Sequence, residues 1–453
     1  MNFKSILFRL FLSGFFVLSG QADEMEALSL ADAVSAALDH NFSLAARKIE
    51  SQFPETRYEI AKSEFRWNVF PSLRAERNDE GEGQFAAELS TVKKTRAGTM
   101  FEVRAQWTAV EGGGEEAQVD VRLEQPLFQR FGKLSAYQFV DESEFQMTSA
   151  RLRFHRETEN LILRVVRAYT DVLDQQERLK QEQSALLRAA DLVRLVEVKL
   201  RQGHATGVDL LEMQMLYQEA ELRFRQAEEA LHLGRAVLAE LMGRVSEQLP
   251  GLLPVPLETE PLPESGEAGQ IARENRVERT LALLNYENER RKLALEERQR
   301  YPDVRVIGNW RPVDGDREAS WFAGLRAGRE LDLHVTNLEI ERQEKQVQAS
   351  LLQISSLELQ IHREVLEAES RLKTLTRERE IAEAQLELSR ERLRLAKGLY
   401  PSGRTSAQQL RDAEEGWVGA QSQKTDVILQ QVRARYQFWY ALGLLLGDPG
   451  DRP

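Results

Sequence analysis

An internal duplication sets the limits on how this chain can fold. The segment Gly203-His-Ala-Thr-Gly-Val-Asp-Leu210 is matched 200 residues later by Gly403-Arg-Thr-Ser-Ala-Gln-Gln-Leu410, and each copy joins two long helical stretches. The surroundings repeat as well, since Pro71 and Pro302 each open a β-like segment and Asn41 and Asn275 mark the end of a short helix. Repetition at this spacing predicts two similar halves of one body.

Long amphipathic helices account for most of the chain. Residues 135–200 contain neither Pro nor Gly, and their apolar positions recur at three, four and seven residues. Residues 335–397 repeat this pattern, and return helices are predicted over 208–242 and 406–446. Two antiparallel helical hairpins follow, whose narrow apolar stripes require partners.

Two segments change to a period of two. Strands are predicted within about 70–128, where Phe101, Val103 and Trp107 alternate with charged residues, and within about 302–328. One apolar and one charged face suit the wall of a membrane β-barrel around a watery lumen. A soluble antiparallel sheet packed on the helices is the alternative. The first segment is the longer one, and residues 78–114 are either an extracellular loop or an additional hairpin.

The N-terminus predicts export from the cytoplasm. An apolar run over residues 6–18 lies between basic residues and small ones, which predicts a signal peptide over residues 1–22. The run is shorter than the ~20 residues of a transmembrane helix. The net charge of −12 argues against a nucleic-acid partner, because phosphates would repel the chain.

Proline content predicts the seam between the halves. Five prolines in residues 249–263 favour an extended strap, which we place at 249–265. The predicted divisions are then a first repeat over 23–248, a second over 266–447 and a flexible tail over 448–453.

Several motifs together resemble one family. Leu28-Ser-Leu-Ala-Asp-Ala-Val-Ser-Ala-Ala-Leu-Asp-His-Asn41 resembles an opening helix, and residues 119–132, with Gln125-Pro-Leu-Phe128, resemble the end of a strand pair. Leu241-Met-Gly243 and Leu445-Leu-Gly447 close the two return helices. The chain therefore resembles the TolC-type outer-membrane channels, also called outer membrane factors, as a divergent member, because Phe42 and Arg276 replace a usual proline.

The resemblance implies a mainly α fold with a β-barrel. Tandem-duplicated helical hairpins would form a periplasmic α-barrel, and four strands per chain would complete a twelve-stranded outer-membrane barrel in a homotrimer. Such proteins are passive exit ducts of tripartite efflux pumps or type I secretion systems. They work with a periplasmic adaptor (membrane fusion) protein and an inner-membrane pump of RND, ABC or MFS type, and they contact outer-membrane lipid.

The resemblance also implies two sets of functional residues at the hairpin tips, near 203–207 and 398–406. The resemblance assigns adaptor docking to Gly203, Thr206, Gly207, Gly403, Thr405 and Ser406. It assigns a pore constriction with a cation-selective ring to Asp209, Glu212, Gln409, Asp412 and Glu415. Gln409 stands where the family has an acidic residue. Ordinary turn residues and solvated helix charges are the alternative interpretations of the two sets.

The chemistry of an enzyme is not evident in the sequence. It has no cysteine, its six histidines lack paired metal-ligand spacing, and no phosphate-binding loop is present. We therefore expect no catalytic residues, metal or cofactor. The competing function is a soluble periplasmic adaptor or coiled-coil scaffold, which the tandem duplication and the alternating strands disfavour.

Overall fold

The structure is a computed structural model that describes residues 27–77, 83–244, 249–255, 265–312, 318–329, 333–399, 404–405 and 407–446. Within these ranges the chain forms two compact units. One contains residues 27–39 and 165–255, and the other contains residues 40–164 and 265–446.

Helices and strands alternate in blocks along the described residues. In chain order they are α1 (Leu30–His40), α2 (Phe42–Ser63), β1 (Asn68–Arg77), β2 (Gly83–Lys94), β3 (Met100–Val110), β4 (Glu115–Pro126), α3 (Lys133–Ala136), α4 (Gln138–Arg201), α5 (Gly207–Leu241), α6 (Ser265–Asn275), α7 (Val277–Arg298), β5 (Asp303–Arg311), β6 (Ser320–Gly328), α8 (Leu333–Leu399) and α9 (Ala407–Leu442).

The long helices confirm the predicted hairpins. Helices α4 and α5 match the expected ranges 135–200 and 208–242, and α8 and α9 match 335–397 and 406–446, each within a few residues. The uninterrupted runs of good helix formers explain the length of α4 and α8. No helix in the described ranges has both the length and the apolar character that crossing a membrane requires.

The sheet contains six strands where the resemblance implied four. They lie in sequence order and every neighbouring pair is antiparallel. The extra pair is β2 and β3, joined by a turn over 95–99 in which Gly98 has φ +90°. Of the two alternatives for residues 78–114, the additional hairpin is therefore the correct one over residues 83–110, while residues 78–82 lie outside the described ranges.

The spacing of the two halves agrees with this insertion. Asn41 precedes Gly203 by 162 residues, whereas Arg276 precedes Gly403 by 127. The 35 additional residues of the first half are about the length of two strands with their turns.

The alternation predicted for the strands continues across the whole sheet. One row of directly paired residues runs through all six strands as Val69, Thr91, Val103, Val121, Trp310 and Trp321. Because successive side chains of a strand point to opposite faces, this row and the parallel rows two residues away form one apolar face. The register thus converts short sequence patterns into one continuous surface.

The opposite face of the sheet carries charges that pair across strands. Arg104 lies 3.1 Å from Glu88 on β2, Arg305 lies 2.7 Å from Glu124 on β4, and Arg311 lies 2.6 Å from Asp120. These pairs balance the charge of this face, as a surface in contact with water permits.

The smaller unit is organised around Tyr169 of α4, which is fully buried. Its hydroxyl lies 2.8 Å from the carbonyl oxygen of Leu28 and 2.7 Å from that of Leu253. Burial raises the pKa of this hydroxyl to about 12. Leu28 also pairs with Leu252 in an isolated parallel bridge, so the described start of the proline-rich strap is anchored beside α1.

Two matches between the halves differ from those inferred from the sequence. Asn275 is the last residue of α6, but Asn41 caps α2, so the residue equivalent to Asn41 is Arg276. Helix α9 ends at Leu442 and is followed by Gly443 with φ +74°, equivalent to Gly243 with φ +66°. Gly447, the expected match, lies outside the described ranges.

Other expectations also fall outside the described ranges. They are the signal peptide at 1–22, the tail at 448–453 and the strap from 256 to 264. The division into repeats at 248 and 266 therefore stays a prediction.

Candidate functional site

The tip between α4 and α5 is a glycine-terminated helix end. The backbone N–H of Gly203 donates to the carbonyl of Leu200 at 3.0 Å, and that of His204 donates to Lys199 at 2.8 Å. This is the Schellman arrangement, which requires a left-handed residue at its turn. Gly203 has φ +78° and supplies it without steric cost.

Helix α5 begins with a reciprocal cap. The Asp209 N–H donates to the Thr206 hydroxyl at 3.2 Å, while a carboxylate oxygen of Asp209 accepts from the Thr206 N–H at 2.7 Å. This capping box satisfies two backbone donors that the helix start would leave unpaired. The bonds from the Thr206 backbone and hydroxyl hold the pKa of the Asp209 carboxyl below its usual value.

Asp209 and Glu212 therefore differ in role although both are exposed on the first turns of α5. Asp209 is ionised and committed to the cap. Glu212 makes no ion pair with the described residues. Gly207 is the first residue of α5, and a side chain built there would meet nothing within 4 Å.

The tip between α8 and α9 repeats part of this geometry. The Arg404 N–H donates to the carbonyl of Leu399 at 3.2 Å, as His204 does to Lys199. Thr405 is partly buried. Gly403 and Ser406 lie outside the described ranges, so two of the predicted tip residues are not placed.

Helix α9 carries the second set of predicted ring residues on exposed positions. A carboxylate oxygen of Asp412 accepts from the side-chain amide of Gln408 at 2.9 Å. Gln409 and Glu415 are also exposed, and neighbouring Glu414 lies 3.5 Å from Lys397 of α8. Asp412 and Glu415 are thus one turn apart on the same helix and remain open to solvent.

Sequence reasoning missed a buried ionic cluster at the start of α7. Arg276 is 5% exposed, and its guanidinium donates to Glu278 at 3.0 Å and to Glu364 of α8 at 2.7 Å. It also lies 5.3 Å from the ring of Tyr440 and 3.4 Å from the carbonyl of Ala441 at the end of α9. One side chain thus links three helices.

The cluster extends to α4 through Arg156 and Glu159. Arg156 lies 3.3 Å from Glu278. Glu159 is 3% exposed, and its Oε1 has no hydrogen-bond partner in the described part of the chain. Burial, reinforced by the negative charge of Glu278, raises the pKa of Glu159 to about 7. The residues of the cluster lie far apart in sequence, and no local sequence pattern signals their contact.

The acidic and histidine side chains of the described residues do not gather into a metal site. No group of three or more His, Asp or Glu side chains in those ranges is arranged to hold a metal ion.

Comparisons with known proteins identify the fold. No family model and no curated protein matches the sequence. The structure is similar to the outer-membrane channel CmeC of Campylobacter jejuni, at 13% identity over 93% of this chain and 87% of that chain, with a TM-score of 0.70. It is also similar to the outer-membrane channel OprN, at 17% identity over 91% and 89% of the two chains, with a TM-score of 0.68.

A third similar structure is the open state of the MtrE outer-membrane channel of Neisseria gonorrhoeae. The identity is 18% over 92% of this chain and 89% of that chain, with a TM-score of 0.64. The chain has the fold of these outer-membrane channels, as its resemblance to the TolC type predicted. The added hairpin β2–β3 is an elaboration of the four strands that this resemblance implied.

Proposed function

We propose that this protein is a passive channel of the outer membrane and the exit duct of an export assembly. The observation that carries the proposal is the sheet, whose apolar face is continuous over six strands while its other face is charged. A wall with lipid on one side and water on the other needs this division.

Strand length supports the same proposal. The six strands contain 9 to 12 residues each, and about 9–11 residues span a bilayer when tilted. Apolar side chains on this face are exposed in the single chain, among them Leu73 at 76% and Trp321 at 78%. Lipid contact would remove this area from water.

Further copies of the chain would cover other apolar surfaces. The tip-ward part of the first hairpin exposes a stripe that includes Leu187, Val208, Leu211 and Met215. The outer edges of β1 and β6 have no strand partner within the described residues. A homotrimer, with strand edges joined and helices packed between copies, would satisfy both requirements.

The tips are the proposed contacts with a periplasmic adaptor. A glycine turn followed by a capped helix forms the first tip, and Thr206 and Gly207 are exposed there. Energy would come from an inner-membrane pump of RND, ABC or MFS type. The export of small molecules by an efflux pump and of proteins by a type I secretion system both fit such a duct.

The acidic residues of the tips are the proposed cation-selective constriction. Repeated by symmetry, Glu212, Asp412 and Glu415 would form negative rings that attract cations. Asp209 would add charge, but its cap role makes Asp209→Asn an ambiguous test.

We expect Asp412→Asn combined with Glu212→Gln to lower the cation preference of single channels by about twofold or more, since neutralising a ring removes its local attraction for cations. Glu228→Gln, far along α5 from the tip, is the control, and an unchanged preference in the double variant would contradict the ring.

The proposed function itself is tested by fractionation of the envelope of the native host. We expect the protein in the outer membrane, extractable only with detergent, with a mass near three times that of the mature chain and discrete conducting steps in planar bilayers. A soluble monomer or dimer without conductance would favour the adaptor or scaffold instead.

A further inference from the structure

We infer that a groove beside the inner strands β4 and β5 binds a phospholipid of the surrounding membrane, an inference that rests on the proposed outer-membrane location. The groove has a volume of about 800 Å³ and lies between the segment that follows β4, helix α3 and the end of α7. Its lining includes Leu127, Phe128, Phe131, Leu134, Arg300 and Tyr301.

The groove continues the apolar face of the sheet. The Leu127 N–H donates to the carbonyl of Val304 at 2.8 Å, so Leu127 extends the pairing of β4 with β5. Leu127 also continues the odd-numbered series of Val119, Val121 and Leu123 on the apolar face. An acyl chain that lies along this face can therefore enter the groove without crossing the charged face.

The apolar lining is open to solvent in the single chain. Leu127 is 38% exposed, Phe131 47%, Phe128 53% and Tyr301 58%. Four large apolar side chains gathered in one concavity form a surface that soluble proteins normally cover. An apolar ligand in the groove would cover these exposed side chains.

The groove also lies where the apolar band gives way to polar side chains. The Thr99 hydroxyl donates to the Gln125 side-chain oxygen at 2.5 Å, one alternation before Leu127. Aromatic residues next to basic ones, just beyond an apolar band, mark the level of lipid headgroups. A phospholipid with its headgroup at this level would have its phosphate beside Arg300.

The charge of the groove suits an anionic headgroup. Arg300 is exposed and makes no ion pair with the described residues. Arg298 donates to the carbonyl of Phe131 and lies 3.3 Å from the Ser135 hydroxyl, which fixes the wall of the groove. Glu297 is the one acidic residue of the lining, so the lining carries one net positive charge.

The position within the sheet favours lipid over a second copy of the chain. β4 and β5 each have strand partners of this chain on both sides, whereas the open edges belong to β1 and β6. Pairing between copies would therefore occur away from the groove and leave it facing the membrane.

Native mass spectrometry of the full-length protein, extracted from outer membranes in mild detergent, tests the inference. Delipidated samples are then exposed to micelles containing phosphatidylglycerol, and bound phospholipid per chain is counted. We expect Arg300→Ala to lower retention about fivefold, since one cation near a membrane surface is worth about that factor. Phe128→Ala should also lower retention, because it removes apolar area that an acyl chain would contact. Arg273→Ala, an exposed arginine of α6, is the control and should retain lipid as the wild type does.

The outcomes separate this inference from the proposed function. Equal retention in all variants of a protein that resides in the outer membrane and conducts would overturn the groove and leave the channel standing. A change in the mass of the assembly instead of in bound lipid would place a second copy in the groove and also overturn the inference. If a variant fails to fold, as judged by circular dichroism, Tyr301→Ala replaces it at an equally exposed position.

Discussion

The two junctions that lead into α2 and α7 have the same backbone and different side-chain chemistry. Asn41 has φ −67° and ψ 116°, and Arg276 has φ −66° and ψ 119°. The Asn41 side-chain oxygen accepts from the Leu44 N–H at 2.8 Å, whereas Arg276 makes no side-chain cap and reaches Glu278 and Glu364 instead.

One turn can therefore be stabilised in two ways. The first junction uses a local cap, whose value depends on a few neighbouring residues. The second replaces the cap by ion pairs and packing between α7, α8 and α9, so its stability depends on the tertiary structure. Substitutions at one junction or in its surroundings can separate the two kinds of stabilisation.

Gly443→Ala should be the most damaging of these substitutions, because it attacks the packing of the second junction. A Cβ at Gly443 would lie 2.7 Å from the carbonyl carbon of Asn275 and 2.9 Å from the nitrogen of Arg276, and φ there is +74°. Backbone atoms cannot move aside as a flexible side chain can. We expect a loss of about 4 kcal/mol in the free energy of unfolding.

Denaturant unfolding of the detergent-extracted protein measures this loss, with Gly416→Ala within α9 as the control. A Cβ at Gly416 would meet nothing within 4 Å, so that variant should gain up to about 1 kcal/mol from the helix preference of alanine. A Gly443→Ala variant as stable as the wild type would show that α9 does not fix the junction.

Arg276→Met should be the next most damaging, because it removes the centre of the ionic cluster. The substitution leaves the partly buried Glu278, which lies near Glu159, without its nearest cation, so we expect a loss of about 3 kcal/mol in the free energy of unfolding. Thermal unfolding checks it against Arg279→Met, whose partly exposed pair with Glu358 should be worth about 1 kcal/mol or less. Equal losses in the two variants would mean that the cluster adds nothing beyond a surface ion pair.

A smaller, pH-dependent change is expected from Glu159→Gln. The pKa of Glu159 in the folded state is raised to about 7, above its ordinary pKa of 4.5. The stability that the protonated carboxyl contributes is therefore fully present below pH 4.5, and it is lost as the pH rises through about 7. We therefore expect Glu159→Gln to be about 1–3 kcal/mol more stable than the wild type at pH 8 and nearly equal at pH 5.

Unfolding measured at both pH values tests this sign, and Glu157→Gln, on the exposed side of the same turn, serves as the matched control. The same difference at pH 5 and pH 8 would exclude titration of Glu159 as its cause.

Local patterns predicted the helices and the faces of the sheet, because both depend on neighbouring residues. The 3.6-residue and two-residue periods of α4, α8, β3 and β4 are visible in a few turns or one strand. The number of strands was not predictable in the same way, since the turn at Thr95–Thr99 lacks a strong hairpin dipeptide and its Gly98 conformation is set in the folded chain.

The ionic cluster illustrates a second limit. Arg276 and Glu364 are 88 residues apart, and Arg156 precedes Glu278 by more than 120, so only packing brings them together. The sequence matched Asn275 to Asn41 because both are asparagines, and the helix boundary shows that Arg276 is the equivalent residue. Among the tip acids, the cap role of Asp209 was not predicted from the sequence, although its spacing of three residues from Thr206 is that of a capping box. The role of the other acids depends on assembly.

Asn41→Ala should be the mildest of the substitutions, because the cap that it removes from the first junction is a local one. The loss of one side-chain bond to the Leu44 N–H should cost about 1 kcal/mol, measured by denaturant unfolding. Asn41→Asp should keep most of that stability, because a carboxylate also accepts this bond and suits the positive end of a helix. The reciprocal change, Arg276→Asn, would supply a cap to α7 but still lose the ion pairs. If it proves as stable as the wild type, a local cap can replace the cluster, and the two junctions are interchangeable solutions to one turn.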